Sequence, residues 1–150
     1  MLSDVEIIKG DLGHVFELQD LEERSLQGVM PPWSLITFLD SFKNDIFKCY
    51  IMRQFNELVG YIAFNDLGSE YEILRLVIDD KYRRAGCATQ LLQFLANLAD
   101  LNDVKDLILD VSHVNRPAML LYARFGFVPD GYRKDYYAKD EDAVLMRKKL

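Results

Sequence analysis

Cysteine is almost missing from this chain. Only Cys49 and Cys87 occur among 150 residues, far apart and in no paired motif, so neither a disulfide framework nor a zinc site is expected. Histidine is as scarce: His14 and His113 stand in no ligand spacing, and no metal is expected. His14 reads as a helix-face residue. Basic charge is in deficit, with 18 Lys and Arg against 24 Asp and Glu and a net charge of −6. That balance argues against direct nucleic-acid binding, which needs a basic footprint. It fits a cytosolic enzyme or a protein whose partner is basic. Long apolar runs are lacking too. The opening "MLSDVEIIKG" carries acidic residues and no extended hydrophobic stretch, so it reads as neither a signal peptide nor a membrane span; the cytoplasm is the expected compartment. With no repeat, low-complexity tract or linker, a single domain is expected over residues 1–150.

What is present has an ordinary globular balance, 50% apolar and 28% charged. "VEIIK" reads as a first strand, and "DLGHVFELQDLEERSL" carries apolar residues at helical spacing. "PPWS" breaks the pattern, with Ser34 placed to cap a second helix through "LITFLDSF". "KCYIMRQFNELVGYIAFN" predicts a hairpin around "FNE", and "YEILRLVID" a further strand with apolar positions at Ile73 and Val77. "TQLLQFLANLADL" puts Leu91, Leu92, Leu95, Leu98 and Ala99 on one helix face. "KDLILDVS" predicts a short strand. "RPAMLLYARFGF" predicts a helix from Pro117 to a stop at Gly126, and the tail predicts two strands. The order β-α-α-β-β-β-α-β-α-β-β implies an α/β fold with a mixed central sheet and helices on its faces.

One turn stands out chemically. "KYRRAGCA" places three cations among residues 81–84, then small residues, between a strand and a helix. Such a turn presents free backbone amides where the helix dipole adds positive charge, which suits a phosphate. Gly86 and Ala88 let phosphate oxygens approach the backbone, and Arg83 and Arg84 can add charge-assisted hydrogen bonds. Read from the residues alone, a solvated basic turn fits equally. There is no Gly-Lys-Ser/Thr and no Gly-x-Gly-x-x-Gly, so neither the nucleotide triphosphate loop nor the dinucleotide fingerprint applies.

"RRAGCA" resembles the Gln/Arg-x-x-Gly-x-Gly/Ala signature of the GCN5-related N-acetyltransferases, with Arg83, Gly86 and Ala88 at its fixed positions. The strand before it, the helix after it and the downstream "N…LYARFGF" block are similar to the same family. The resemblance implies the GNAT fold and acetyl-coenzyme A as cosubstrate, with no metal. It gives the amides of Arg84, Ala85, Gly86, Cys87 and Ala88 to the pyrophosphate. It gives the backbone of Leu76, Val77 and Ile78 to the pantetheine arm. Asn115 matches a residue contacting that arm, and it is also a natural helix cap.

Acetyl transfer to an amine needs a base for the ammonium and a proton for the departing thiolate. By resemblance Tyr122, in "LYARFGF", is the donor to the coenzyme sulfur; as a bare pattern it also fits a core tyrosine. Asp110 follows three apolar residues in a short strand, a costly place for a carboxylate unless it is paired or used. It is the candidate base, directly or through a water, with Glu72 in reserve and His113 a minor relay candidate. Cys87 has no nucleophilic role in a family that transfers acetyl directly.

"LILDVSHVNRPAMLLYARFGF", "DYY…EDA" and "PPWS" together resemble the RimI-like branch, the ribosomal-protein alanine N-acetyltransferases. That branch usually carries Glu where Asp110 stands, and the loop between Tyr137 and Glu141 is short for it. By the same resemblance Tyr136 and Tyr137 wall the substrate groove and Trp33 lines its other side, although Trp33 equally suits a hydrophobic anchor. The expected reaction is acetylation of a protein α-amine, that of a basic ribosomal protein, by a monomer or weak dimer. A small-molecule amine acetyltransferase on the same fold is the alternative, and a coenzyme-binding sensor without catalysis a more distant one.

Overall fold

Short-range chemistry punctuates the chain. Ser34 Oγ accepts a hydrogen bond from the Thr37 amide at 3.2 Å and starts a helix. Asn115 does the same for the helix over "RPAMLLYARF", which stops at Gly126 with φ near 106°. Phe55 and Asn56 both take positive φ and close a two-residue hairpin turn. The computed structural model describes residues 2–26 and 28–150. It contains β1 (Val5–Lys9), α1 (Val15–Ser25), α2 (Leu35–Phe42), β2 (Phe47–Gln54), β3 (Glu57–Asp66), β4 (Glu70–Ile78), α3 (Cys87–Leu101), β5 (Asp106–Ser112), α4 (Arg116–Phe125), β6 (Val128–Ala138) and β7 (Glu141–Lys149). The α/β order is the one the sequence predicts.

The first helix departs in detail. Asp11 opens a 3-10 turn in which its carboxylate accepts from the Gly13 amide while His14 Nδ1 accepts from the Asp11 amide. His14 is therefore part of a reciprocal cap rather than a helix-face residue, and α1 starts at Val15.

Seven strands form one sheet in the order β1-β2-β3-β4-β5-β7-β6. Every pairing is antiparallel except β4 with β5. That parallel pairing is short, joining residues 70–73 to 106–109 only. It ends at a bulge: β3 pairs Phe64 with Ile73 and Ala63 with Arg75, leaving Leu74 without a partner. The extra residue bends β4 and reverses the facing of everything beyond it. Before the bulge Tyr71 and Ile73 pack toward α3; after it Arg75 and Val77 lie across from Ala63 and Tyr61, on the α1–α2 side. From the bulge onward the sheet is split.

Helices cover the two faces unequally. On one face α3 and α4 pack Leu91, Leu92, Leu95 and Tyr122 against Ile73, Leu107, Leu109, Val111 and Met146. On the other, α1 and α2 pack Leu18, Leu21 and Phe38 over β2, β3 and the end of β4. That second core takes no residue from β5, β6 or β7, so those strands leave an open face beside the split. Among the described residues no helix is long and apolar enough to cross a membrane.

Candidate active site

Where β4 and β5 part, a cleft of about 430 Å³ opens toward the α3 N-terminus. Leu76, Val77 and Ile78 form one wall, and beyond the bulge this edge of β4 has no strand beside it. The turn closes one end. Arg84 and Gly86 both adopt left-handed φ, near 64° and 78°, and Gly86 gives α3 no side-chain cap. Alternation of this kind turns successive amides to one side, and the uncapped first turn of α3 adds its own. Holding Arg84 there costs about 1–3 kcal/mol, the range for a non-glycine residue kept in this region.

Long-range contacts hold the turn in that shape. Asp79 accepts from the Lys81 amide at 3.1 Å and pairs with Arg24 of α1 at 2.8 Å. Arg83 pairs with Asp80 at 2.9 Å and donates to the Ser25 carbonyl at the end of α1. Its guanidinium is thus tied to the scaffold, while Arg83 still lines the cleft beside Arg84. Arg84 is exposed at the cleft rim, with no carboxylate partner among the described residues. Gly86, Cys87 and Ala88 line the cleft with Arg83 and Arg84, whereas Ala85 packs against the α3–α4 core.

The far wall comes from α4. Asn115 Oδ1 caps the helix through the Ala118 amide at 3.3 Å, and the residue also lines the cleft. Tyr122, only 8% exposed, lies in the same wall with its ring edge-on to Phe127 at 5.5 Å. Burial pushes its phenol well above the ordinary range, and nearby Tyr137 adds to the effect. It is therefore protonated at neutral pH and able to donate. Burial raises the Cys87 thiol as well, which keeps it neutral and a poor nucleophile.

Asp110 lies on the opposite, open face of the sheet. It sits across from Leu145 of β7 and borders a shallow depression with Glu72, Asp130, Arg133 and Arg147. It is half-buried, because no helix covers that face. The three apolar residues before it gave the impression of a fully buried strand; instead β5 alternates, with Leu107, Leu109 and Val111 inward. Glu72 is on the same face, accepting from Asn65 Nδ2 at 3.3 Å. His113 Nδ1 accepts from the Asp142 amide at 2.9 Å, tying the start of α4 to β7 rather than standing ready for a relay.

Tyr136 and Tyr137 reach this face through an irregularity. Between Arg133 and Ala138 the β6–β7 register shifts, and the residues between leave the ladder. Their rings stack edge-on at 5.0 Å. Burial and then the Asp110 carboxylate push the Tyr137 phenol up to about 12, and Arg75 and Tyr122 lie close enough to act on one or both phenols. Asp110 thus acts on the Tyr137 phenol and Tyr137 on that of Tyr122, although Asp110 borders one face of the sheet and Tyr122 the other.

Two residues here were not singled out from sequence. Glu22 of α1 is fully buried and has all its acceptor positions filled: Arg75 at 2.6 and 3.1 Å, the Trp33 amide at 2.7 Å, and the Tyr61 hydroxyl. A carboxylate so engaged serves as an anchor, not a base. Removing one partner of such a pair costs about 3–5 kcal/mol. Trp33 accordingly packs on Phe38 and Phe47 beneath the Arg75 guanidinium and does not line the cleft. The available signal was Arg75 itself, a cation in the apolar phase of "YEILRLVID". Among the described residues no group of acidic, histidine and cysteine side chains is arranged to hold a metal.

Comparison with known proteins agrees with this geometry. The family profile "Acetyltransferase (GNAT) family" matches residues 15–127. A protein of Bacillus subtilis (strain 168), provisionally named a ribosomal protein bS18-alanine N-acetyltransferase, is 28% identical over 138 residues, covering 91% of this chain and 87% of its own. The crystal structure of the ribosomal-protein-S18-alanine N-acetyltransferase from Escherichia coli superposes with a TM-score of 0.89 at 23% identity, over 97% of this chain and 94% of that one. The fold is also that of a spermidine N-acetyltransferase mutant from Vibrio cholerae, with a TM-score of 0.79 at 16% identity over 99% and 95% of the two chains. The chain belongs to the acetyltransferase (GNAT) family: it is an acetyl-transferring enzyme, similar to the ribosomal-protein alanine N-acetyltransferases.

Proposed function

We propose that this enzyme moves acetyl from acetyl-coenzyme A to the α-amine of a protein N-terminus, that of a basic ribosomal protein. One observation carries the reading: a cleft of about 430 Å³ opens at the split in the sheet on the α3–α4 side, and Asp110 stands on the uncovered face beyond the split. In this reading the amides of residues 84–88 hold the pyrophosphate. The free edge of β4 at Leu76, Val77 and Ile78 pairs with the pantetheine arm, and Asn115 contacts that arm. An α-amine titrates near 8 against about 10.4 for lysine, so freeing its lone pair at neutral pH costs about 3 kcal/mol less. Asp110, directly or through a water, accepts that proton. The amine attacks the thioester carbonyl, whose oxyanion meets a backbone amide near Val77. The carbon–sulfur bond breaks and Tyr122 protonates the thiolate.

The resemblance of the whole chain to the Bacillus subtilis protein supports a protein acceptor, and the excess of acidic residues suits a basic one. The rival is a small amine such as a polyamine or an antibiotic, on the same fold. Incubating the enzyme with acetyl-coenzyme A and a panel of N-terminal peptides, polyamines and aminoglycosides separates the two. The expected result is turnover of peptides, with those carrying basic residues preferred; turnover of small amines alone overturns the reading.

Gly60 offers a test of the coenzyme half. It faces Ile78 across β3 and β4, and a β-carbon there would lie 2.6 Å from the Val77 carbonyl oxygen. Backbone cannot yield cheaply, so Gly60→Val moves the free edge of β4. The expected effect is a KM for acetyl-coenzyme A raised by about tenfold, equivalent to about 1.4 kcal/mol, measured by steady-state kinetics.

A further inference from the structure

The connection between α1 and α2 borders the cleft at the split. Leu26, Val29 and Met30 form part of the cleft wall, and the chain then runs over Pro31 and Pro32 to Trp33. Proline leaves few backbone donors to pin such a segment, and what holds it here comes from β4. Arg75 Nη2 donates to the Pro31 carbonyl at 3.2 Å, Nη1 lies 3.7 Å from Met30 Sδ, and the guanidinium covers the Trp33 ring at 5.0 Å. Glu22 holds Arg75 with two hydrogen bonds and takes the Trp33 amide at 2.7 Å. Residues 30–33 are therefore gripped at three points by one buried ion pair, only because the Leu74 bulge turns Arg75 to this side of the sheet.

We propose that Arg75 and Glu22 are positioning residues for the acceptor amine: their pair fixes residues 30–33 and so sets the width of the acceptor entrance between this segment and Tyr137. The inference rests on the acetyl-transfer reading for its kinetic consequence but not for its structural one. The coenzyme turn is pinned by a separate set, Arg24–Asp79 and Arg83 with Ser25, and of residues 30–33 only Met30 lines the coenzyme cleft, so loosening this segment acts mainly on the acceptor.

Two variants and two readouts test it. Arg75→Lys keeps a cation beside Glu22 but cannot form the two-pronged pair or cover Trp33; Arg75→Gln removes the cation. Trp33 is the only tryptophan, so its fluorescence reports on this segment alone. Both variants should show red-shifted emission and easier acrylamide quenching, the Lys variant less than the Gln variant. With whichever amine the wild-type enzyme turns over, Arg75→Lys should raise the acceptor KM by about tenfold. The KM for acetyl-coenzyme A should stay within about twofold and kcat within about threefold. If Arg75→Gln does not fold, Arg75→Lys carries the test. Unchanged Trp33 emission together with an unchanged acceptor KM in Arg75→Lys overturns the proposal, as does an equal rise in both KM values. Failure of the wild-type enzyme to acetylate any peptide counts against the protein-acceptor reading and leaves the fluorescence test of the brace intact.

Discussion

Replacing Tyr122 by Phe is expected to lower kcat by about two to three orders of magnitude, the usual contribution of a positioned proton donor. The substitution keeps the ring that packs edge-on against Phe127 and removes only the hydroxyl. Thermal stability and the KM for acetyl-coenzyme A should therefore change little. The measurement is steady-state transfer with a peptide acceptor, beside a melting curve of each protein. The pH dependence follows from the raised phenols. Burial favours their neutral form, so Tyr122 keeps its proton, and Tyr137 titrates only at about 12. Wild-type activity should rise through about pH 8 as the α-amine deprotonates and show no fall before about pH 10. Activity of Tyr122→Phe within about threefold of wild type would remove Tyr122 from the chemistry.

Asp110→Asn gives the second large effect, a fall in kcat/KM of about a hundredfold at pH 7. A base is needed only while the amine carries its extra proton, so the deficit should narrow to about tenfold or less by pH 9.5. Asp110→Glu, which extends the carboxylate by one methylene on the same open face, should retain activity within about threefold of wild type. Glu72→Gln should behave likewise, because Glu72 pairs beside Ile108, one step farther from the split. A pH-independent loss in Asp110→Asn would mark a structural role, and a larger loss in Glu72→Gln would transfer the role of base.

The sequence disclosed what is local. Ser34, Asn115 and Gly126 declare helix ends through their own side chains or backbone freedom, and "FNE" declares a hairpin turn. Element order followed from these signals, and the turn before α3 from its small residues between a strand and a helix. Features made by register stayed hidden. The Leu74 bulge exists only against β3, yet it splits the sheet, ends the β4–β5 pairing and turns Arg75 to the α1–α2 side. The shift that frees Tyr136 and Tyr137 exists only against β7. The tie of Arg83 to the Ser25 carbonyl stayed hidden too, because that partner is a backbone group 58 residues away that no side-chain pattern records. Asp110 looked buried because "LILDVS" says nothing of which face a helix covers. The turn before α3 was therefore legible early, while the surroundings of Asp110 and Tyr137 came into view only with strand pairing.

The central claim is that a protein N-terminus is the acceptor. Its most direct test is intact-mass and fragment mass spectrometry of purified ribosomal proteins after incubation with the enzyme and acetyl-coenzyme A. The predicted result is a single acetyl group on the α-amine of a basic ribosomal protein, absent when Tyr122→Phe replaces the wild-type enzyme. No acetylated N-terminus, in a preparation that still consumes acetyl-coenzyme A with a polyamine or an aminoglycoside, would contradict it.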